Sequence, residues 1–401
     1  MQYQHFDPTG CDFPTPQVSI LPALSLKTFG KKTTYAFKPL GPHANSRLFT
    51  RGRYALTEAY RLAGVGPNGA LLAPAYHCRT MLDPAIRLEA DIVLYQLKAD
   101  LSPDLDALTA LLATCQKPIK ALLLTHYFGF AQTLKPVADF CKQHGIVLVE
   151  DCSHALFIRS DISGASHSNG MGQTGHFCVA SPYKFFPSED GGMLWSNSAA
   201  VPCFSRLSSQ PWKQELKAIV HAMQHARTPV LSINKSQSID PEHMDYSCGR
   251  DVLEHTSGIS PYYQPEQEHL KSFAFSRWVM RHTNIDRLAK LRRQNYITWT
   301  AAVANLPHCS ALFPKLPHDS VPYMFPLYID HPETDFFTLK QLGIPIWRWD
   351  DMAVSDCAVA SNYRLHLLHL PCHQELSETQ MNWMTTTLQN VMLQPEAGHP
   401  A

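Results

Sequence analysis

The sequence predicts an α/β protein with a large domain, built on a mainly parallel mixed sheet flanked by helices, and a smaller α/β C-terminal domain. Short apolar runs alternate with helical patterns from about residue 70 to residue 195, as in parallel sheets covered by helices. Several runs are followed at once by polar residues, as are strands that end at the ligand-binding edge of an open sheet. The 401 residues suffice for both domains.

Helices and strands of the N-terminal half follow from this pattern. Apolar residues at helical spacing after Gly52 predict a helix. A second helix is predicted over residues 103–112, capped by Ser102, and a third over residues 134–144, ended by Gly145. The apolar runs predict strands at residues 70–75, 92–95, 121–124, 146–149, 176–180 and 193–195.

The C-terminal half is less regular. The pattern loosens from residue 201 to residue 263, and residues 267–306 then read as one long, basic helical stretch. A last helix is predicted to begin at Ser377, where Gln380 completes a capping box. Short strands are predicted at residues 322–329, 343–346 and 365–370.

Three segments are therefore predicted: an extended N-terminal arm over residues 1–40, a large domain over 41–263 and a small domain over 264–401. The arm holds several prolines and little periodicity. Because the arm and the loose stretch 226–263 cannot pack as cores of their own, we expect a second copy of the chain to order them in a homodimer.

Composition excludes some classes of partner. Lys+Arg and Asp+Glu are both 34, so no net charge favours nucleic acid or an anionic membrane. No apolar run approaches the roughly 20 residues of a membrane helix, and the first residues lack a signal-peptide pattern. We therefore expect a cytoplasmic protein.

Cysteine and histidine are frequent without forming a metal-binding motif. The 11 cysteines are scattered with no C-x-x-C pair, which predicts reduced thiols. A C-terminal cluster could suggest zinc, but its alternation favours a strand followed by a proline turn, so no metal site is predicted. The cluster consists of His366, His369, Cys372 and His373.

The stretch from Gly145 to Asn197 carries the chemistry. Asp151 follows an apolar run, Lys184 follows the next, and Gly191-Gly192 opens a third. Neighbouring strand ends would thus present one acid and one amine. Pyridoxal phosphate (PLP) needs this pair: an amine for its aldehyde and an acid for its pyridine nitrogen.

At these residues the sequence resembles the DegT/DnrJ/EryC1/StrS aminotransferases, PLP enzymes of fold type I that mostly aminate keto-sugars carried on nucleotides. The family pattern E-D-x-x-H/Q-A, then an aromatic-rich strand, Lys and a Gly-Gly strand, is matched by residues 150–155, Lys184 and Gly191-Gly192. The resemblance implies that Asp151 pairs with the pyridine nitrogen, that His154 faces the phenolic oxygen or ring, and that Lys184 holds the internal aldimine.

The phosphate-binding residues depart from the family pattern. The usual Ser five positions before the lysine is Val179, which makes Ser181 the candidate, and the usual G-E-G-G reads Glu189-Asp190-Gly191-Gly192. By position, Gly52, Arg53 and Tyr54 match the turn that holds the phosphate at a helix start.

An aromatic ring after the first strand is also expected to stack on the cofactor in this family. Tyr76 and His77 are both candidates, and the alignment leaves the choice open.

The expected function is PLP-dependent transfer of an amino group from an amino acid, glutamate first among the candidates, to a nucleotide-linked keto-sugar, as in polysaccharide biosynthesis. Retention of Lys184 argues against the dehydratase branch, which has histidine there. One alternative is a PLP-binding protein with altered or no transaminase activity, because the phosphate-binding residues diverge. A metal hydrolase built on the C-terminal histidines ranks lowest.

Overall fold

The computed structural model describes residues 1–30, 35–36, 46–159, 171–197, 203–227, 246, 248–256 and 258–394. Its strands are β1 (Gln2–Asp7), β2 (Tyr35–Ala36), β3 (Ser46–Phe49), β4 (Ala70–Pro74), β5 (Ile92–Tyr95), β6 (Ile119–Thr125), β7 (Val147–Asp151), β8 (Ile158–Arg159), β9 (Phe177–Ala180), β10 (Gly192–Ser196), β11 (Arg250–His255), β12 (Cys309–Ala311), β13 (Met324–Ile329), β14 (Met352–Ala353) and β15 (Leu367–Pro371). Its helices are α1 (Gly52–Leu62), α2 (Asp83–Arg87), α3 (Leu105–Leu112), α4 (Leu134–His144), α5 (Trp212–Arg227), α6 (Ala274–His282), α7 (Ile285–Val303), α8 (Asp335–Gln341), α9 (Ala358–His366) and α10 (Glu378–Met392).

A seven-stranded sheet in the order β3-β10-β9-β7-β6-β4-β5 organises the chain. The five neighbouring strands β9, β7, β6, β4 and β5 pair in parallel. Strand β10 runs antiparallel to both of its neighbours, β3 and β9. Strands β4 and β9 are buried along their whole length, as strands with both faces covered should be. The predicted α/β class with a mainly parallel mixed sheet is confirmed.

Two predicted helix boundaries can be compared directly. Helix α4 ends at Gly145, whose φ of 65° is the left-handed conformation that glycine adopts without a steric penalty. Helix α3 begins later than predicted, because Asp104 and not Ser102 is the cap. The Asp104 carboxylate accepts hydrogen bonds from the backbone N–H groups of Asp106 and Ala107, at 3.1 Å each.

The long basic stretch is two helices and not one. Helix α6 ends at His282, and Thr283 has extended backbone angles. Asn284 then caps α7 through its side-chain oxygen, which accepts from the Arg287 N–H at 3.0 Å. An asparagine inside a basic run thus acts as a helix start.

The C-terminal residues form a second, smaller sheet in the order β12-β13-β15. Its last helix, α10, begins with the predicted capping box between Ser377 and Gln380. The predicted strand at 343–346 is absent; Trp347 instead forms an isolated bridge with His369.

The arm and the loose stretch pair with each other within one chain. Strand β1 is antiparallel to β11 over six residues, from Gln2 opposite His255 to Asp7 opposite Arg250, and it also pairs with β14. These residues are therefore ordered by pairing within one chain, whereas a second copy was expected to order them. The remaining residues of the loose stretch from 228 to 245 lie outside the described part.

The cysteines are not all reduced thiols, which corrects the sequence prediction. A disulfide joins Cys11 of the arm to Cys248, just before β11. The other nine cysteines are free. The cross-link closes the same arm onto the same stretch, and the spacing of cysteines along the chain gave no sign of it.

None of the described helices is both long and apolar enough to cross a bilayer.

Candidate active site

A cleft opens where β3, β4, β6, β7 and β9 end at the carboxyl edge of the large sheet, the usual ligand edge of open α/β sheets. Its residues come from five separate chain segments and from the small domain. They are Arg51, Gly52, Arg53, Leu56, Cys78, Thr80, Met81, Thr125, Asp151, Ser153, His154, Ser181, Tyr183, Lys184 and Trp349.

Asp151 is the last residue of β7 and is 4% exposed. The backbone N–H of Ser153 donates to its Oδ1 at 2.9 Å, which fixes one oxygen and leaves the other for a ligand. Side chains alternate along a strand, so Glu150 lies on the opposite face of the sheet and does not line the cleft. The acid is held by its own strand end.

Lys184 ends a short 3-10 turn, Pro182–Lys184, that follows β9. Its backbone N–H donates to the Ser181 carbonyl at 3.0 Å, and its Nζ lies 5.3 Å from the centre of the Tyr323 ring. The turn therefore brings the amine to the same cleft as Asp151, although 33 positions separate them in sequence.

Arg292 of helix α7 holds this turn, a role that the sequence did not reveal. Its guanidinium is fully buried and donates to the Lys184 carbonyl at 3.0 Å, to Gln374 Oε1 at 2.8 Å and to the carbonyls of Pro322 and Tyr323. Burial lowers its pKa to about 10. In the sequence Arg292 is one of several cations in the long basic stretch, and nothing there indicates its partner.

His154 is a neutral ring in the wall of the cleft. Its Nδ1 accepts from the Phe128 N–H at 3.4 Å, which leaves the proton on Nε2. Burial is the main reason that the pKa of His154 lies well below the usual value, and the nearby charge of Lys184 is the second. The ring stacks on Tyr323 with centres 4.5 Å apart. Phe128 itself has a φ of 56°, a strained conformation that the surrounding contacts maintain.

The start of α1 forms a cradle beside Lys184. A side chain at Gly52 would collide with the Ser181 hydroxyl, and that hydroxyl lies 3.0 Å from Ser153 Oγ. The first N–H groups of a helix have no acceptor within it, and its dipole favours an anion there. Arg51 and Arg53 line the same end. These residues fit the phosphate of PLP, and Asp151 and Lys184 fit its ring and aldehyde.

Asp190 belongs to the segment that departs from the family's G-E-G-G pattern, and its side chain makes its contacts outside the cleft. Its carboxylate accepts from Ser272 Oγ at 2.8 Å and from the Phe273 N–H at 3.1 Å. Burial raises its pKa to about 6. The glycine usual in the family falls one residue earlier, at Glu189, whose backbone is not in the left-handed region, so a glycine is not required there.

Neither candidate for the stacking ring reaches the cleft. The Tyr76 hydroxyl lies 2.9 Å from His369 Nε2, and His77 Nε2 accepts from the Ala353 N–H at 3.3 Å, both in the buried layer. The chain reaches the cleft one residue later, at Cys78, while Trp349 approaches from the small domain. The structure thus corrects both assignments.

Tyr54 is also placed elsewhere, because it lies on the covered face of α1. Its ring packs edge-on against Tyr263 at 5.2 Å between centres, and its hydroxyl accepts from the Gln264 N–H. Its two predecessors, Gly52 and Arg53, do line the cleft.

The C-terminal histidines do not converge on a metal. His369 contacts Tyr76, His373 Nε2 lies 2.9 Å from the Ser19 carbonyl oxygen, and His366 Nδ1 lies 2.7 Å from that of Ile329. Within the described residues, the one group with metal-ligand spacing is His126, Glu150 and Cys152. The Glu150 oxygens are already taken by His126 Nε2 and by the backbone N–H groups of Gly172, Thr174 and Gly175.

Comparison with known proteins agrees with the motifs. The sequence model of the DegT/DnrJ/EryC1/StrS aminotransferase family matches residues 43–215, which include Asp151, His154 and Lys184. This segment is similar to that family, in agreement with the resemblance seen in the motifs. Enzymes of the family depend on PLP.

Curated relatives match over short segments. The pleiotropic regulatory protein of Geobacillus stearothermophilus is 27% identical over 155 residues, 36% of this chain and 38% of that protein. GDP-perosamine synthase of Vibrio cholerae is 33% identical over 90 residues, 21% of this chain and 22% of that protein. The matched segments thus span about two fifths or less of these relatives.

Solved structures match over most of the chain. A DegT DnrJ EryC1 StrS aminotransferase from Brucella abortus superposes with a TM-score of 0.58 at 16% identity, covering 89% of both chains. The putative sugar aminotransferase Spr1654 from Streptococcus pneumoniae, in its PLP form, gives 0.58 at 15% identity, covering 86% of each chain. At such identities the likeness shows the fold, which is fold type I.

Proposed function

We propose that the protein is a PLP-dependent aminotransferase that moves an amino group from an amino acid, glutamate first among the candidates, to a keto-sugar carried on a nucleotide. The observation that carries this proposal is the convergence of Asp151, His154 and Lys184 on one cleft beside the start of α1. When bound, PLP supplies the electron sink for loss of a proton at the substrate Cα.

Each residue has a proposed task. Lys184 Nζ attaches the cofactor and, once displaced by the donor amine, takes and returns a proton as general base and acid. Asp151 keeps the pyridine nitrogen protonated, and the neutral His154 donates its Nε2–H toward the ring. The Ser181 hydroxyl, the first N–H groups of α1 and the adjacent arginines hold the phosphate.

The sugar acceptor rests on the relatives' names. GDP-perosamine synthase and a UDP-N-acetyl-3-dehydro-alpha-D-glucosamine 3-aminotransferase from Acidithiobacillus ferrooxidans both carry a nucleotide-linked sugar in their names. These names support the class of acceptor but not its identity.

The first half-reaction tests the activity without a known acceptor. The PLP-loaded protein is incubated with a panel of amino acids, and conversion to pyridoxamine phosphate is followed by absorbance. We expect glutamate or a close analogue to convert it, and Lys184→Ala not to. If PLP stays bound but no amino acid converts it, the binding protein without transaminase activity is the correct alternative.

A covalent label tests the attachment residue independently. Borohydride reduction and peptide mapping should place the pyridoxyl group on Lys184. A label on another lysine would contradict the assignment even if the protein transaminates.

We also propose a homodimer. Helix α5 carries Trp212, Leu216, Val220 and Met223 at helical spacing, and they are 71%, 53%, 46% and 51% exposed. An apolar stripe of this kind supports an interface with a second copy.

Light scattering should give a molecular mass twice the 45.1 kDa of one chain. The double variant Leu216→Glu with Val220→Glu should halve that mass, whereas Lys217→Gln on the same helix should leave it unchanged. A monomeric wild type would contradict the proposal. Location in the cytoplasm stays a prediction.

A further inference from the structure

A second cavity, of about 540 Å³, lies beside the edge strand β3 and shares no residue with the cofactor cleft. Four of its lining residues are cations, Arg47, Arg206, Lys271 and Arg277, and none of its lining residues is an acid. The whole chain has no net charge, so this concentration of positive charge is local and does not follow from a generally basic surface.

Backbone pairing fixes the segments that carry these cations. Lys271 forms an isolated bridge with Phe49, and the Ser272 N–H donates to the Leu48 carbonyl at 3.1 Å. The Lys271 N–H donates to the Ser208 carbonyl at 2.9 Å, which ties in the segment that bears Arg206. The cavity is therefore built on the sheet edge and on two strand-like segments docked to it.

Two of the guanidinium groups are also positioned by side-chain contacts. The Arg47 guanidinium lies 5.0 Å from the centre of the Phe204 ring, and Arg277 Nη1 donates to the Ser272 carbonyl. Arg47 Nη1 also donates to the Ser46 carbonyl at 3.1 Å. With one carbonyl contact each, these forks keep other N–H donors available to a ligand.

Across the described residues, no ion pair joins any of the four cations to a carboxylate. Glu58 contacts Ser205 of the lining, but its carboxylate is already paired with Arg61 at 2.8 Å. Like charges held together repel each other, and a bound anion would remove that cost.

We propose that this cavity binds the diphosphate group of a small molecule. Phosphate oxygens match the planar donor fork of arginine, and several cations around one cavity suit two linked phosphates better than one carboxylate. A volume of about 540 Å³ is that of a small-molecule site. Arg47 lies four residues before Arg51 of the cofactor cleft, roughly 13 Å along an extended strand, so the two sites are neighbours but separate.

Calorimetric titration of the PLP-saturated protein with inorganic pyrophosphate tests the site, since the cofactor already fills the other phosphate cradle. We expect saturable binding of one pyrophosphate per chain, and Arg47→Gln with Arg206→Gln should weaken it at least tenfold. Both side chains are exposed, so the fold and the PLP content should stay unchanged. Lys98→Gln with Lys290→Gln removes two exposed cations elsewhere and should leave binding as it is.

Binding that is absent in the wild type, unchanged in the arginine variant, or equally weakened in the lysine control would overturn the proposal. Titration with uridine diphosphate distinguishes the sources of the group: tighter binding than pyrophosphate indicates a nucleotide, and equal binding indicates the free diphosphate. Lys184→Ala should bind pyrophosphate like the wild type. A failed transamination test would therefore not be confused with a failed diphosphate site.

Discussion

Glu150 and Arg292 are both fully buried and charged, and each adjoins a residue of the cofactor cleft. Glu150 precedes Asp151 on β7, and Arg292 reaches from α7 to the turn that carries Lys184. The carboxylate receives hydrogen bonds from N–H groups and from the Cys178 thiol, and the guanidinium donates to neutral oxygens. One supports the acid of the site and the other supports its amine.

The two charges differ in how far they are compensated. Burial raises the pKa of Glu150, but hydrogen bonds from His126 and from backbone N–H groups outweigh it and leave the pKa below its ordinary value. For Arg292 the effect of burial prevails, and the pKa falls to about 10. Buried charges are rare unless hydrogen bonds or a partner hold them. The hydrogen bonds of Arg292 join α7 to the turn that carries Lys184.

The largest effect is expected from Arg292→Met, which leaves several buried oxygens without a donor. We expect the free energy of unfolding to fall by about 3 kcal/mol or more. The rate of the glutamate half-reaction per folded, PLP-loaded molecule should also fall, because the Lys184 carbonyl loses its donor. Urea denaturation and stopped-flow absorbance measure the two effects.

Arg293 provides a matched control for this variant. It is the next residue on α7, is only partly buried and donates to the carbonyls of Pro317 and Ser320 in a surface loop. Arg293→Met should cost less stability and leave the rate unchanged. A normal rate in folded Arg292→Met would show that Arg292 supports the fold alone and does not position Lys184.

A smaller effect is expected from Glu150→Gln, since the amide would turn an N–H group toward backbone N–H donors. We expect a loss of about 2–4 kcal/mol near neutral pH. The folded-state pKa of Glu150 lies below its ordinary 4.5, so its contribution is present above 4.5 and is lost as the pH falls through the lower value. The difference between wild type and variant should therefore shrink below pH 4.5.

Denaturation at several pH values measures this, with Glu266→Gln as the control, because Glu266 is exposed. A difference that stays constant from pH 6 to pH 3 would mean that the ionised carboxylate is not what holds this network together.

The sequence predicted the acid and the amine of the site because each lies in a short motif next to an apolar run. Asp151 needs only the strand before it, and Lys184 only the turn before it. The cleft wall was harder: choosing among Tyr76, His77 and Cys78 requires knowing at which residue the chain leaves the sheet, and one residue changes the answer.

Long-range partners lay beyond the sequence for a different reason. Periodicity tells which face of an element is buried but not which element covers it. The pairing of β1 with β11 and the Cys11–Cys248 bridge both join residues that are more than 230 positions apart. Arg292 reaches Lys184 across 108 positions. The sequence pattern of a basic helix or of a proline-rich arm does not indicate which distant segment of the chain it contacts.

Replacement of Asp190 is expected to change stability least among these three buried charges. Asp190 is a second buried carboxylate, 2% exposed, but it has fewer donors than Glu150, so burial prevails and raises its pKa from 3.8 to about 6. Because the folded-state pKa is raised, the contribution of Asp190 to stability is fully present below 3.8 and is lost as the pH rises through about 6, by about 3 kcal/mol in all.

The side chain of Asp190→Asn does not titrate and can still accept hydrogen bonds from Ser272 and Phe273. We therefore expect the variant to lie within about 1 kcal/mol of the wild type at neutral pH. Its free energy of unfolding, followed by urea denaturation from pH 4 to pH 8, should gain on that of the wild type as the pH rises, opposite to the trend for Glu150→Gln as the pH falls. Parallel curves for wild type and variant would show that Asp190 is ionised throughout and as well compensated as Glu150.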